Sequence, residues 1–226
     1  MTFSAFYLWQ CIVSGLRYIP VTFKLSFYPI IMGIAGGTAI ALARVFKAPV
    51  LGKLFAISVP FYSGLPVMVA LLLFNLVYLT CFKPVPNGAL IVAYITLGLN
   101  RIAIMSESIR GAFLSIPKGQ YEACASCGLT TAQTLFRIII PQAIPVAIPS
   151  LANNIVGSIK NTAIVLVVGI VDVLNGALLP CGDTYSYVEG YVAAALIYWA
   201  IIALVEQALR LLETFYARHR AGGAQA

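Results

Sequence analysis

From Leu54 to Phe82 the chain runs without a single charged residue, and lysines flank the run on both sides. A helix crossing the hydrocarbon core of a bilayer needs roughly 20 mostly apolar residues, so a run of this length marks a membrane span. The rest of the chain follows suit: 61% of its 226 residues are hydrophobic and 9% are charged, against about 25% charged in soluble domains. The sequence predicts an all-α membrane protein with about five transmembrane helices.

Candidate spans are Val21–Ala43, Phe61–Phe82, Gly88–Ile109, Ile144–Val171 and Val188–Leu209. The second is the clearest. The fifth is the weakest, because only Gly190–Val205 is free of charge between Glu189 and Glu206. Residues 21–212 then form one membrane domain, preceded by an N-terminal segment, 1–20, and followed by a tail, 213–226.

Lys and Arg are enriched in cytoplasmic loops. Arg44, Lys47 and Lys53 follow the first span, Arg110, Lys118 and Arg137 the third, and Arg210, Arg218 and Arg220 the fifth; Arg17, Lys24 and Lys83 fall on the other side. This bias places the N-terminus outside and the C-terminus in the cytoplasm of a multi-pass membrane protein. The formal charge of +7 is thereby accounted for, and it does not argue for nucleic acid. The first sixteen residues lack Lys and Arg, so the basic region of a cleaved signal peptide is missing. Phe3, Phe6, Tyr7 and Trp9 suit a segment lying among lipid headgroups; a frayed hydrophobic terminus is the other reading.

Cys124 and Cys127 form one C-x-x-C with no second pair, and the sole histidine is His219 in the tail. Structural zinc takes four ligands, so these cysteines read as small buried residues. Cys81 and Cys181 fall at the outer ends of spans, which leaves a disulfide between them open.

Between the third and fourth spans the pattern changes. Ser115 and Pro117 open a short helix and Gly128 stops it, giving Pro117–Cys127. Thr130-x-x-Gln133 fits a capping box, and Leu129, Ala132, Leu135, Phe136 and Ile139 follow helical spacing. That predicts a second, amphipathic helix against the membrane face, too short to span it. The two helices read as a cytoplasmic projection suited to a partner's groove. Pro141, Pro145 and Pro149, four apart, predict a bent element joining it to the fourth span.

Glu122-Ala123, four residues, Gly128, nine residues, then Ile138, Ile140 and Pro141 resemble the EAA loop of ATP-binding-cassette importer permeases of the polar amino-acid uptake family. Glu107, Arg110 and Gly111, then Ser115-Ile116-Pro117-Lys118-Gly119-Gln120-Tyr121, resemble the stretch leading into that loop. Phe61-Tyr62-Ser63-Gly64-Leu65-Pro66 is similar to the family's Phe-Arg-Gly-Thr-Pro segment, departing from it at Ser63 and Leu65. The resemblance implies a type I importer permease fold in which two permease protomers form the path. Two cytosolic ATPase subunits, which bind ATP and Mg, would grip coupling loops at about 115–141. An extracytoplasmic binding protein would deliver the amino acid. Glu122, Ala123 and Gly128 would be the coupling residues.

This chain holds no cofactor or motor of its own: Gly52-Lys53 lacks the rest of a P-loop, and no nucleophile–base or metal constellation exists. It therefore reads as a transport subunit, not an enzyme. Intramembrane charges usually face a cavity or partner, which singles out Arg101 and Lys160. Where the family commonly has Lys-Asp-Thr-Ser this chain has Lys160-Asn161-Thr162-Ala163, Asn154 replaces an acid and Arg101 a small polar residue. That removes negative charge from the implied path, so a neutral or acidic amino acid is expected there; Lys160 paired with a carboxylate of either protomer is the competing reading. Glu107 and Arg110, three apart, read as a structural ion pair. The alternative function is a self-sufficient secondary carrier built on Arg101, Glu107 and Lys160, although carriers often show repeats and none is visible.

Overall fold

The computed structural model describes residues 3–46 and 48–223, with side chains as far as Thr214. α1 (Ala5–Leu16) is followed after two residues by α2 (Ile19–Val45), whose Pro20 sits in the first turn, where an amide has no helical partner anyway. α3 (Leu51–Gly64) and α4 (Val67–Cys81) come next, then α5 (Gly88–Leu114) and the short α6 (Lys118–Ser126). α7 (Thr131–Thr134) runs through a π turn (Leu135–Ile139) into α8 (Ile140–Lys160), which tightens into a 3-10 segment (Asn161–Val168). α9 (Val173–Leu178), α10 (Cys181–Thr184) and α11 (Tyr187–Gly223) complete the described chain.

Four helical stretches are long and apolar enough to cross a membrane: Ile19–Val45, Gly88–Leu114, Thr131–Val168 and Tyr187–Thr214. α3 and α4 make a fifth if the pair counts as one span. The fold is thus all-α with four to five membrane-crossing elements. The run expected to be the plainest span is the broken one: α3 and α4 meet at 102°. Pro66 is the cause, because its ring bars the preceding residue from helical geometry, and Leu65 is extended at φ −78, ψ 128.

The segment ahead of the fourth span also differs from expectation. The capping box is complete: Thr130 N donates to Gln133 Oε1 at 2.9 Å, and Gln133 N to Thr130 Oγ1 at 3.3 Å. The helix it starts does not stop at the membrane face, however, but continues into α8 as one 38-residue stretch. Pro141 lacks an amide and its ring presses on the carbonyl four residues earlier; the wider π turn just before it relieves that clash. Gln142 Nε2 donates to the carbonyl of Ile138 at 3.0 Å, which helps the helix pass the proline without a break.

α1 is a packed element, not a frayed terminus. Cys11 and Gly15 are buried against α9 and α11, while Phe3, Phe6 and Trp9 stay exposed. Cys11 Sγ lies 3.8 Å from Cys181 Sγ, and Cys81 is exposed at the end of α4, so Cys181 is turned to Cys11 rather than Cys81. Glu189 and Asp172, which a loop position would leave solvated, are buried. Glu189 Oε1 accepts from Ser4 N at 2.8 Å, so α11 holds the start of α1. The expected tail continues α11 to Gly223, and residues 224–226, like Met1, Thr2 and Lys47, lie outside the described residues.

α5 is the hub, packing on α2, α4 and α8. Lipid is as apolar as leucine, so helices in a bilayer associate through close van der Waals contact and small residues. Gly33, Gly36 and Gly37 on α2 provide it. A Cβ at Gly33 would lie 2.6 Å from Met105 Sδ and 2.9 Å from Arg101 Cβ, and one at Gly37 would lie 3.0 Å from the Ser106 amide. Beyond this seam Leu25, Leu71, Ala93, Leu97 and Val165 close one end of the interior, and Ala41, Ile109, Phe113, Ile139 and Ala143 the other.

Candidate functional site

α8 is apolar enough to sit in a membrane, yet one of its faces is polar and uncovered. Ala143, Ala147, Ala152, Val156 and Ile159 are buried against the bundle. Ser150, Asn153 and Lys160 are exposed, and Asn154, Gly157 and Asn161 are half-exposed. At 100° per residue, Ser150, Asn153, Gly157 and Lys160 fall on one side. Lipid cannot satisfy such groups, so this side faces water or protein in the membrane.

Arg101 reaches the edge of that face from α5. It is 4% exposed. Its Nη1 donates to the Asn154 carbonyl at 3.1 Å and its Nη2 to Asn100 Oδ1 at 3.3 Å. Gly157 leaves it room: a Cβ there would stand 3.6 Å from Nη1. Asn154 Nδ2 and Ser150 Oγ both donate to Ser108 Oγ, at 2.9 and 2.8 Å, tying the two helices one turn further along.

Thr162, in the 3-10 segment, is fully buried. It donates to the Ile159 carbonyl at 2.9 Å and lies 3.0 Å from the Tyr198 hydroxyl. Tyr198 in turn donates to Asp172 Oδ2 at 2.5 Å, and Asp172 Oδ1 caps α9 by accepting from Asn175 N at 3.1 Å. The residues proposed from sequence as path candidates thus separate. Arg101 and Asn154 come together, Lys160 and Asn161 lie further along the same helix, and Thr162 belongs to a buried network on the α11 side. Asp172 and Tyr198 were missed. The one readable signal was an Asp placed just before a helix start.

Glu107 accepts from Arg110 at 2.7 and 2.9 Å and also from Arg44 on α2. No ion pair joins it to Arg101 or Lys160 among the described residues.

At the other end of the protein, α6 stands on a tightly closed turn. Gly128 has φ +73, its amide donates to Ala125 O at 3.0 Å, and Leu129 N donates to Cys124 O at 3.1 Å. These two bonds make a Schellman stop, which requires the left-handed residue. Cys124 is turned in, whereas Glu122, Ala123, Cys127 and Gly128 are exposed. Burial holds the neighbouring Tyr121 phenol above its ordinary range.

Fold and site define a multi-span membrane protein with an uncovered polar helix face and an exposed cap between two of its spans. Residues 21–218 match the family described as the binding-protein-dependent transport system inner membrane component. The chain is 33% identical over 207 residues to a probable amino-acid ABC transporter permease of Vibrio harveyi, covering 91% of this chain and 92% of that one. It is 34% identical over 212 residues to an L-cystine transport system permease of Bacillus subtilis, covering 91% and 86%. A crystal structure of an amino acid ABC transporter with histidines superposes with a TM-score of 0.86 at 28% identity, covering 95% of this chain and 99% of that one. The methionine ABC transporter MetNI in an inward-facing form shares the fold, with a TM-score of 0.66 at 18% identity. The chain belongs to the binding-protein-dependent inner membrane components, and among them to the amino-acid ABC permeases. It is a non-catalytic transport subunit that forms its path with a partner protomer and works with an ATPase.

Proposed function

We propose that this chain is the permease subunit of an amino-acid importer whose path runs along the polar face of α8. The observation that carries the reading is that face: Ser150, Asn153 and Lys160 are exposed, and Gly157 half-exposed, along one side of a membrane helix. A second protomer, a copy or a close relative, supplies the other wall.

Coupling runs through residues 115–141. Glu122 offers a carboxylate to a basic group on an ATPase, Ala123 leaves a flat surface for packing, and Gly128 lets the partner's backbone come close. Because the part of it from Thr131 onward continues into α8 as one helix, a pull on the loop is passed to the path wall. Orientation follows the Lys and Arg bias, with α6 in the cytoplasm. An extracytoplasmic binding protein delivers the amino acid to the opposite side. The secondary-carrier alternative draws no support from the packing, where Glu107 is held by Arg44 and Arg110.

The experiment is affinity isolation from gently solubilised membranes with ATPase activity assayed on what co-elutes. Recovery of a nucleotide-hydrolysing subunit that is lost with Gly128→Asp, while insertion stays normal, supports the reading. A chain that elutes alone and accumulates an amino acid in vesicles carrying an ion gradient overturns it.

A further inference from the structure

We propose that Arg101 is the seat for the carboxylate of the transported amino acid, and that the site therefore excludes amino acids with cationic side chains. The inference rests on the reading of α8 as a path wall.

A guanidinium carries a full charge and five donors. Buried in a membrane helix, such a group pairs with an opposite charge or with backbone carbonyls. Arg101, at the midpoint of a 27-residue span, has only a backbone carbonyl and a neutral amide. The seven acids of the chain leave it alone. Glu107 is taken by Arg44 and Arg110, Asp172 by Tyr198 and Asn175, and Glu189 by the amide of Ser4. Glu206 has Arg210 at 3.9 Å. Glu122 and Asp183 lie on α6 and α10, and Glu213 stands a further seven residues along α11 from Glu206. No ion pair reaches Arg101 or Lys160 among the described residues.

No acid of this chain neutralises Arg101, and two of its five donors are taken, which leaves three for a molecule from outside the chain. Arg101 is 4% exposed, but its Nη1 lies 3.6 Å from where a Cβ at the half-exposed Gly157 would stand, so that glycine is what separates it from the open side of α8. Two of its donors can bind a carboxylate side by side. Lys160, on the same face, adds a second positive charge of the same sign. A lysine or arginine guest would bring its cationic side chain into this field in a low dielectric, whereas glutamate or glutamine would not.

The test uses the purified permease–ATPase complex without its binding protein, so that the membrane site alone selects. Equilibrium binding of radiolabelled L-glutamate, L-glutamine and L-lysine is measured on the wild type, Arg101→Gln, Arg101→Lys and Asn154→Asp. Glutamate or glutamine is retained at least tenfold more tightly than lysine, Arg101→Gln loses that binding, and Arg101→Lys keeps part of it. Asn154→Asp sets a carboxylate beside an intact Arg101, so it weakens glutamate and narrows the gap to lysine even if Arg101→Gln fails to fold. Equal binding of lysine overturns the proposal. So does wild-type binding in Arg101→Gln, which points to an acid of the partner protomer as the counter-ion. Retention of no amino acid also overturns it. If no ATPase accompanies the chain, the importer reading fails separately, and glutamate held by the chain alone still supports a carboxylate seat at Arg101.

Discussion

Tyr198 on α11 donates to Asp172 at the start of α9 across a distance of 2.5 Å, and Asp172 is fully buried. Buried carboxylate oxygens need hydrogen-bond donors, and Tyr198, Asn175 N and Asn175 Nδ2 supply them. Val173 N adds a tie to Thr22 Oγ1 at 3.1 Å, so α2, α9, α11 and the 3-10 segment meet here.

Tyr198→Phe should therefore lower thermal stability of the detergent-solubilised protein by about 1–3 kcal/mol, the usual cost of leaving a buried polar group unsatisfied. Asp172→Asn should be milder, because the amide can donate to Tyr198 and still accept from Asn175. Asp172→Leu should be the worst of the three. A melting series ranked in any other order would show that the network is not what holds α9.

Glu107 is shared by Arg44 from α2 and Arg110 from its own helix. Its side chain is 36% exposed, so solvent screens the pair and the coupling between Arg44 and Glu107 should come to about 1 kcal/mol or less. A double-mutant cycle with Arg44→Gln and Glu107→Gln, read as melting shifts, measures it. The coupling should shrink as salt is raised.

Gly33 and Gly37 set how closely α2 and α5 approach, and the nearest atoms on α5 belong partly to backbone. Gly37→Val should cost at least about 1–3 kcal/mol, the range for overpacking, and broaden elution on size exclusion. Gly111, which has open space at its Cβ position, should accept Ala with no loss. Both are read by the same elution and melting assays.

The legible and illegible parts of this molecule divide along physical lines. Local rules worked where a few neighbouring residues decide the outcome: the Thr130–Gln133 box and the Gly128 stop stand where the sequence put them. Span boundaries at α2 and α5 moved by only a few residues, since a lipid-length apolar run has few other uses. Hydropathy carries no direction, and so the uncharged run through Pro66 concealed a 102° turn. Arg44 lies 63 residues from Glu107, and no spacing rule reaches that far. Asp172 carries no sequence signal of burial because the 3-10 segment and α9, which fold it back into the interior, are too short to leave a periodic pattern. The polar face of α8 was visible only as separate residues until burial of its alanines fixed which way the helix turns.

That face carries the last prediction. If α8 borders a water-filled path in the assembled transporter, Asn153→Cys and Ser150→Cys should react with a membrane-impermeant maleimide reagent, in a background where the exposed Cys81 and Cys127 are serine. Leu196→Cys on α11 is the control: Leu196 is 47% exposed on an apolar surface that lipid covers, and a charged reagent does not reach it there. On the coupling proposed above, reaction at Asn153 should also change with the nucleotide state of the ATPase, because α8 is continuous with the helix that starts at Thr131. Equal labelling at positions 153 and 196 would mean that the polar face is packed against protein, and would move the path to another helix.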